Sequence, residues 1–303
     1  MTTSTISPLR QRMIEDMNAR NLGKATHRNY IGACKRFAAF LKRSPDTAEA
    51  DDVRRFQLQL MEDGASIHNR NRIMTGVSFL FRVTLRRHDL AAEIYHVKEP
   101  LNLPLTFSPE EARRLLRQAG SLRVRAMLAL AYGCGLRAGE VVRLRSGDID
   151  RAQGIIRVVQ SKGSKDRHVM LPEEVLELLR QWWKERPAQP DAGVAPLERL
   201  VFPGRYAGKP LTTRQFNRLF HEACEAAGIK KRVTVHSLRH SFATHLLDQG
   251  TDIRLIQAVL GHAHLDTAAR YTRVATGRIA GIASPLSGKQ RRPRKPGKNG
   301  KAA

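Results

Sequence analysis

The sequence predicts a mainly α-helical chain in two domains with one small β-hairpin, which places it in the α+β class. Before residue 90, four segments show the apolar spacing of amphipathic helices. A break that contains Pro100 and Pro104 follows, and helical spacing returns beyond it. One pair of short runs rich in β-branched residues, 155–159 and 167–171, interrupts the second set of helices.

The N-terminal segments predict a small helical bundle over residues 1–99. Ser7 before Pro8 is typical of an N-cap followed by proline at the first helical position, and this helix is expected to reach about residue 21. Gly64 is expected to end the third helix. The apolar stripes of the second, third and fourth helices are Tyr30, Cys34, Phe37 and Leu41; Val53, Phe56 and Leu60; and Ile73, Val77, Leu80 and Phe81.

Residues 88–107 lose the helical period, and we interpret this stretch as containing the interdomain linker, with its boundaries at 100–107. Ser108, Pro109 and Glu111 form the pattern of a capping box with proline at the first position. The second domain is therefore expected at 108–283.

Within the second domain an apolar helix ends at Gly133 and Gly135 and leads to a short helix that begins near Arg137. The runs IIRVV and RHVML predict a hairpin whose turn carries Lys162. Two amphipathic helices follow, and the second is expected to end at Gly228. They are expected to place Trp182 and Trp183 in core and rim packing, and to turn Phe216, Phe220 and Cys224 inward.

The charge of the chain predicts a polyanionic partner, with nucleic acid as the first candidate. The 303 residues carry a formal charge of +25. Hydrophobic residues make up 41% of the chain, which is enough to form buried hydrophobic cores. Residues 284–303 form a basic tail that we expect to be disordered, yet without its seven cations the chain still carries +18. The folded part is therefore itself basic.

The three cysteines are far apart and form no C-x-x-C pair, so the sequence supports neither a disulfide framework nor a zinc ribbon. A reducing cytoplasm fits this pattern, and we expect a cytoplasmic protein. No apolar run of membrane-spanning length occurs, so no membrane partner is expected. No cofactor and no metal site are expected either.

The stretch 234–274 concentrates the candidate chemistry. His236 and Arg239 lie three residues apart on a predicted helix, so that one anion could meet both side chains. Gly250 is expected to end that helix, and Gly261 to end the next one just before His262. Tyr271 follows on a third short segment.

This stretch resembles the C-terminal signature of the tyrosine recombinases, the phage-integrase and Xer-type family. The signature consists of an H-x-x-R pattern, a later L-G-H and a tyrosine nine residues after the histidine of L-G-H. The sequence GLRAGE resembles the family's first catalytic box, with Arg137 as its arginine and Glu140 as an acid that orients it. Lys162 matches the family's hairpin lysine, and Lys165 is close enough to compete for that role. The resemblance implies an N-terminal helical core-binding (SAM-like) domain that clamps one side of a DNA duplex, followed by a catalytic domain.

These side chains fit phosphoryl transfer without a metal. Arg137 and Arg239 would hold the nonbridging phosphate oxygens with paired N–H donors. The expected roles of the others are attack on phosphorus by Tyr271, proton removal by His236, protonation of the leaving 5′-oxygen by Lys162 and a hydrogen bond to a phosphate oxygen from His262. The resemblance implies a 3′-phosphotyrosyl intermediate.

The expected partner is double-stranded DNA with specific recombination sites, bound by a homotetramer during integration or transposition of a mobile element. Arg28, Arg70, Arg72 and Lys165 are the candidate DNA-binding residues. After Tyr271 the chain departs from the family, which usually continues into a helix that docks on a neighbouring protomer. Here the continuation is glycine-rich, which leaves the mode of subunit exchange open.

Two other functions fit the same residues. A type IB topoisomerase shares the catalytic set but relaxes DNA as a monomer, and a DNA-binding regulator would have lost catalysis. A metal site of His236, His240 and His245 is disfavoured, because no carboxylate is well placed and His245 is expected on another helix face. We expect His240 to be a buried, hydrogen-bonded structural residue.

Overall fold

A computed structural model of the protein describes residues 6–100, 105–159, 166–187, 193–206 and 208–261. The chain divides into two compact units, residues 1–102 and 103–303. Each unit has its own hydrophobic core. Among the described residues, no helix is long and apolar enough to cross a membrane.

The N-terminal unit is helical, as the apolar stripes predict. The fourth helix continues into a π-helical turn at Leu80–Leu85, which ends at Arg86 with a φ of 56°. Ser7 accepts a hydrogen bond from the backbone N–H of Arg10 and thereby caps the first helix. The helices are α1 (Pro8–Ala19), α2 (Lys24–Leu41), α3 (Ala50–Glu62), α4 (Ile67–Phe79) and α5 (His88–Ala92).

Helices α2 and α4 approach each other closely in this unit. A Cβ atom added at Gly76 would lie 2.7 Å from the Cβ of Ala33, so the absence of a side chain at Gly76 permits the approach. Arg72, four residues earlier, donates to Asn29, four residues before Ala33. The two helices therefore run in the same direction, and their N-terminal ends lie side by side.

The segment after α4 corrects the expectation that helical order is lost from residue 88 onward. Residues 88–92 form α5, and the backbone of residues 93–97 is held by two side-chain amides. Gln57 donates to the carbonyl of Glu93 and accepts from the N–H of Tyr95, and Asn71 makes the same pair of bonds to Val97 alone. Apolar periodicity could not predict the order of residues 93–97, because polar side chains hold their backbone.

Helix α7 lies at the centre of the C-terminal unit, and its residues from Ala126 to Gly133 are all buried. A three-stranded antiparallel sheet of order β1-β2-β3 lies beside the helices, with Ile156 opposite Val169. The hairpin prediction is correct, whereas β1 has only two residues and was too short to predict. The elements are α6 (Pro109–Arg117), α7 (Leu122–Gly133), α8 (Ala138–Arg143), β1 (Ile149–Asp150), β2 (Ile155–Val158), β3 (Arg167–Met170), α9 (Glu173–Glu185), α10 (Thr213–Ala226), α11 (Val235–Asp248) and α12 (Ile253–Leu260).

The aromatic side chains of this unit pack as expected. Trp182 is buried, and its indole N–H donates to the carbonyl of Val201 at 2.8 Å. Trp183 lies at the rim, where the guanidinium of Arg186 is 3.5 Å from its ring centre. The inward-facing residues predicted on α10, namely Phe216, Phe220 and Cys224, are all buried.

The three cysteines are shielded from solvent to different degrees. Cys134 and Cys224 are buried, and Cys34 is partly buried beside the Sδ of Met13. Burial raises the pKa of the Cys34 thiol to about 12 and that of Cys224 to about 11, and it also raises the pKa of Cys134.

The contact between α2 and α4 predicts opposite effects for two glycine-to-alanine substitutions. Gly76→Ala should lower the free energy of unfolding by about 1–3 kcal/mol, because the new methyl group overlaps Ala33. Gly32→Ala on α2 is the matched control, because nothing lies within 4 Å of its added Cβ. It should stabilise the protein by about 0.5–1 kcal/mol through helix propensity. Urea unfolding of the full chain measures both, and equal effects would contradict the close approach.

Candidate active site

The carboxylate of Glu140 occupies the centre of the candidate site. Its Oε1 accepts from Nη1 of Arg137 and Nη1 of Arg167, both at 2.9 Å. Its Oε2 accepts from the backbone N–H of Arg137 at 2.8 Å and from Nη2 of Arg167 at 2.7 Å. These four bonds use the acceptor positions of an ionised carboxylate, so both arginines are held in fixed orientations.

Arg239 enters the same cluster from α11 and is 2% exposed. Its Nη1 donates to the carbonyl of Gly135 at 2.6 Å and lies 4.0 Å from Oε2 of Glu140, and its Nη2 donates to the carbonyl of Leu260. Gly135 has a φ of 66°, and an added Cβ would lie 2.6 Å from the ring of Phe242. A glycine at 135 therefore brings the carbonyl that orients Arg239 into place.

The C-terminal end of α12 completes the cluster. Nε of Arg167 donates to the carbonyl of Val259 at 2.8 Å, and Nη2 of Arg137 lies 3.4 Å from the carbonyls of Leu260 and Gly261. The last carbonyls of a helix have no partners within the helix and carry its negative dipole end. Guanidinium groups satisfy these carbonyls here, and they fix the end of α12 against α8 and β3.

The charges in this cluster are unbalanced in favour of cations. Burial alone would raise the pKa of Glu140, but the hydrogen bonds and charge of Arg167, followed by the hydrogen bonds of Arg137, lower it to about 2. Burial and the neighbouring charges of Arg137 and Arg167 lower the pKa of Arg239 to about 9, which still leaves it cationic at neutral pH. Three cations therefore face one anion, and the site attracts a further anionic group.

Three of the six predicted catalytic residues lie within the described part of the chain. Arg137 is the N-cap of α8, and Arg239 is buried on α11. His236 lies exposed in the first turn of α11, where its ring packs edge-on against that of His240 at 4.6 Å. Lys162, His262 and Tyr271, and the candidate DNA contact Lys165, lie outside the described residues.

The structure does not bring the three histidines of the metal-site alternative together, because His245 turns away from the adjacent pair His236 and His240. His245 is buried, and its Nδ1 lies 2.9 Å from the hydroxyl of Tyr132. His240 is only half-buried, which corrects the expectation of full burial, and burial together with the charge of Arg239 lowers its pKa. Across the described ranges, no group of three or more His, Cys, Asp or Glu residues is arranged to hold a metal ion.

Arg167 is the member of the cluster that sequence analysis missed. It begins the run RHVML, and it lies on the same face of β3 as the buried Val169. A charged residue at an inward strand position requires a partner, and this conflict with the apolar pattern was the available signal.

The candidate DNA-binding residues of the N-terminal unit lie near the adjacent ends of α2 and α4. Arg28 and Arg72 are exposed, and Nη1 and Nη2 of Arg72 donate to Asn29 and Asn69 at 3.1 and 2.8 Å. Arg70 is half-buried, and its Nε has no hydrogen-bond partner among the described residues. The paired helix ends add partial positive charge to these side chains.

Comparison with family models gives two matches. The model described as the phage integrase family matches residues 106–278, which is more than half of the chain. The model described as the phage integrase N-terminal SAM-like domain matches residues 9–89.

Comparison with individual proteins also finds integrases and recombinases. A putative integrase/recombinase y4qK of Sinorhizobium fredii is 38% identical over 284 residues, covering 93% of this chain and 89% of that protein. The tyrosine recombinase XerA of Thermococcus kodakarensis is 36% identical over 227 residues, covering 74% of this chain and 77% of that protein. The fold is similar to that of a lambda integrase tetramer bound to a Holliday junction, with a TM-score of 0.66 at 20% identity over 85% of this chain and 78% of that one.

Because Glu140 lies at the centre of the cluster, we expect Glu140→Gln to be much less stable than the native protein. Three arginines would lose their shared anion, and removal of one partner from a buried ion pair costs about 3–5 kcal/mol. The control is Glu173→Gln, because Glu173 pairs with Arg180 at the surface and should change stability by less than about 1 kcal/mol. Urea unfolding near neutral pH measures both variants.

The pH dependence of this loss follows from the lowered pKa of Glu140. A carboxylate whose folded pKa lies below its unfolded value of about 4.3 contributes stability above that value. This contribution is lost as the pH falls through the folded pKa of about 2. The difference in free energy of unfolding between the native protein and Glu140→Gln should therefore persist at about pH 5. A difference that vanished there would contradict a strongly ionised Glu140.

Proposed function

This chain belongs to the phage integrase family of tyrosine recombinases, and we propose that it cuts and rejoins double-stranded DNA at specific sites. The observation that carries the proposal is the cluster of Arg137, Arg167 and Arg239 around the single carboxylate of Glu140. The excess positive charge of the cluster suits a phosphodiester, whose transition state gathers negative charge on its nonbridging oxygens.

The two arginines assigned to catalysis have different surroundings. Arg137 keeps about a quarter of its side chain exposed, so it can donate to a phosphate at the surface of the site. Arg239 is buried and fixed by two carbonyls, so it supplies charge from a position that needs little reorganisation. Both remain cationic during the reaction, which is how they would replace a metal ion.

The proposed reaction exchanges one ester for another. The hydroxyl of Tyr271 attacks phosphorus and forms a 3′-phosphotyrosyl bond, while the bond to the 5′-oxygen breaks. His236 accepts the tyrosine proton, and Lys162 gives a proton to the leaving oxygen. His262 donates a hydrogen bond to a phosphate oxygen. A 5′-hydroxyl from another strand then reverses these steps, so religation needs no external energy source.

Sequence-independent DNA contacts are assigned to Arg28, Arg70, Arg72 and Lys165. What supports the first three is their position at the adjacent N-terminal ends of α2 and α4, where side-chain charge and helix dipoles act together. The basic tail of residues 284–303 would add further phosphate contacts.

We also propose an oligomeric state, a biological role and a cellular location for the protein. Exchange between two duplexes requires four strand cleavages, which favours a homotetramer on DNA. The similar lambda integrase structure is named as a tetramer bound to a Holliday junction. A relative named as an integrase/recombinase favours a role in integrating or transposing a mobile element. Such an enzyme would act in the cytoplasm, at the bacterial nucleoid.

The proposed reaction predicts that Tyr271→Phe abolishes covalent attachment to DNA while affinity for DNA changes little, because only one oxygen is removed. The substrate is a library of randomised duplexes that carry nicks, so that a short cleaved fragment diffuses away and traps the adduct. Denaturing gels and peptide mapping identify the modified residue, and sequencing of the trapped DNA identifies the site.

The matched control is Tyr206→Phe, since Tyr206 is 69% exposed and lies in a glycine-rich loop. This variant should form the adduct at the native rate. The same reaction in excess EDTA should also proceed at the native rate. An adduct that persists in Tyr271→Phe, or activity that returns only with Mg²⁺, would refute the mechanism.

The proposed assembly predicts that the protein forms a tetramer with two duplexes that carry the recovered site. Analytical ultracentrifugation of the complex should give four protomers with two duplexes, and recombination should require both duplexes. One protomer per duplex, with relaxation of supercoiled DNA at full activity, would instead favour the topoisomerase function.

A further inference from the structure

We propose that Arg167 is a positioning residue that holds three catalytic segments in register: the hairpin that carries Lys162, the start of α8 with Arg137, and the end of α12 before His262. The catalytic part of this inference rests on the proposed function. Arg167 is 8% exposed, so it acts through its neighbours and is not assigned a contact with DNA.

The guanidinium of Arg167 uses every nitrogen in this role. Nη1 and Nη2 donate to the two oxygens of Glu140 at 2.9 and 2.7 Å, and Nε donates to the carbonyl of Val259 at 2.8 Å. A planar, bidentate fork fixes direction as well as distance. The strand β3 is thereby tied to α8 on one side of the guanidinium and to α12 on the other.

Packing around Gly261 supports the same role. A Cβ atom added at Gly261 would lie 2.7 Å from Cδ of Arg167, and Gly261 has a φ of 62°. The absence of a side chain therefore lets the aliphatic part of Arg167 lie against the turn that ends α12. This turn immediately precedes His262 in the chain.

Arg167 also controls the environment of Glu140. The charged groups that face this carboxylate are Arg137 at the start of its own helix, Arg167 on β3 and Arg239 on α11. Without Arg167 the carboxylate loses two of its four hydrogen bonds and a full opposing charge, while it stays buried. Burial then favours the neutral form, which would release Arg137 from its fixed orientation.

The activity test compares Arg167→Met, Arg167→Lys and the control Arg180→Met, which removes an arginine from an exposed ion pair on α9. The native protein and each variant are given the nicked, randomised library, and the rate of Tyr271 adduct formation is measured. Arg167→Met should be slower by about 100-fold, because misplacement by about 1 Å costs that much. Arg180→Met should match the native rate.

The pH profile separates positioning from a general loss of structure. The rate of Arg167→Met divided by the native rate should fall further as the pH is lowered and Glu140 takes up a proton. Arg167→Lys keeps a cation beside Glu140, so its ratio should stay level with pH even though its rate is reduced. Arg167→Met combined with Glu140→Gln should also give a level ratio, because no carboxylate remains to titrate.

A second readout needs no DNA. If loss of Arg167 raises the folded pKa of Glu140 above its unfolded value, the folded state binds the proton more tightly. The thermal midpoint of Arg167→Met, relative to that of Arg180→Met, should then rise as the pH falls from about 8 to about 5. A flat or falling difference would overturn the proposal, and so would a native adduct rate in Arg167→Met. If the native protein forms no Tyr271 adduct, the proposed function fails, while the thermal measurement still tests the tie to Glu140.

Discussion

One buried carboxylate organises the C-terminal unit. Glu140 is surrounded by arginines from the start of its own helix, from β3 and from α11, so it joins parts of the chain that are about a hundred residues apart. Removing charges from water is unfavourable unless their hydrogen bonds are satisfied, and Glu140 accepts four. Any arrangement that separates these elements would leave an uncompensated charge inside the protein.

Local patterns predicted most of the helices. Ser108, with a glutamate three residues later, marked the start of α6, and Gly261 marked the end of α12, because capping depends on neighbouring residues alone. The H-x-x-R spacing likewise located Arg239 on a helix. The sequence could not show that this arginine is buried and oriented by the carbonyls of Gly135 and Leu260, because those contacts are set by tertiary packing.

Most of the missed features share one physical cause. Arg167 and the two amides that hold residues 93–97 depend on partners distant in sequence, whereas β1 was missed because it has only two residues. Apolar periodicity describes faces that pack against a core, and it carries no information about polar groups that find each other there. Lys162, His262 and Tyr271 were assigned by motif alone, and their roles remain predictions.

The burial of the thiols has a practical consequence for spectroscopic work. Thiol-directed reagents react with the thiolate, and burial suppresses that form at Cys34, Cys134 and Cys224. A cysteine introduced at an exposed position would therefore be the fastest-reacting thiol in the folded chain. Fluorophores or spin labels could then be attached at one chosen place while all three native cysteines are kept.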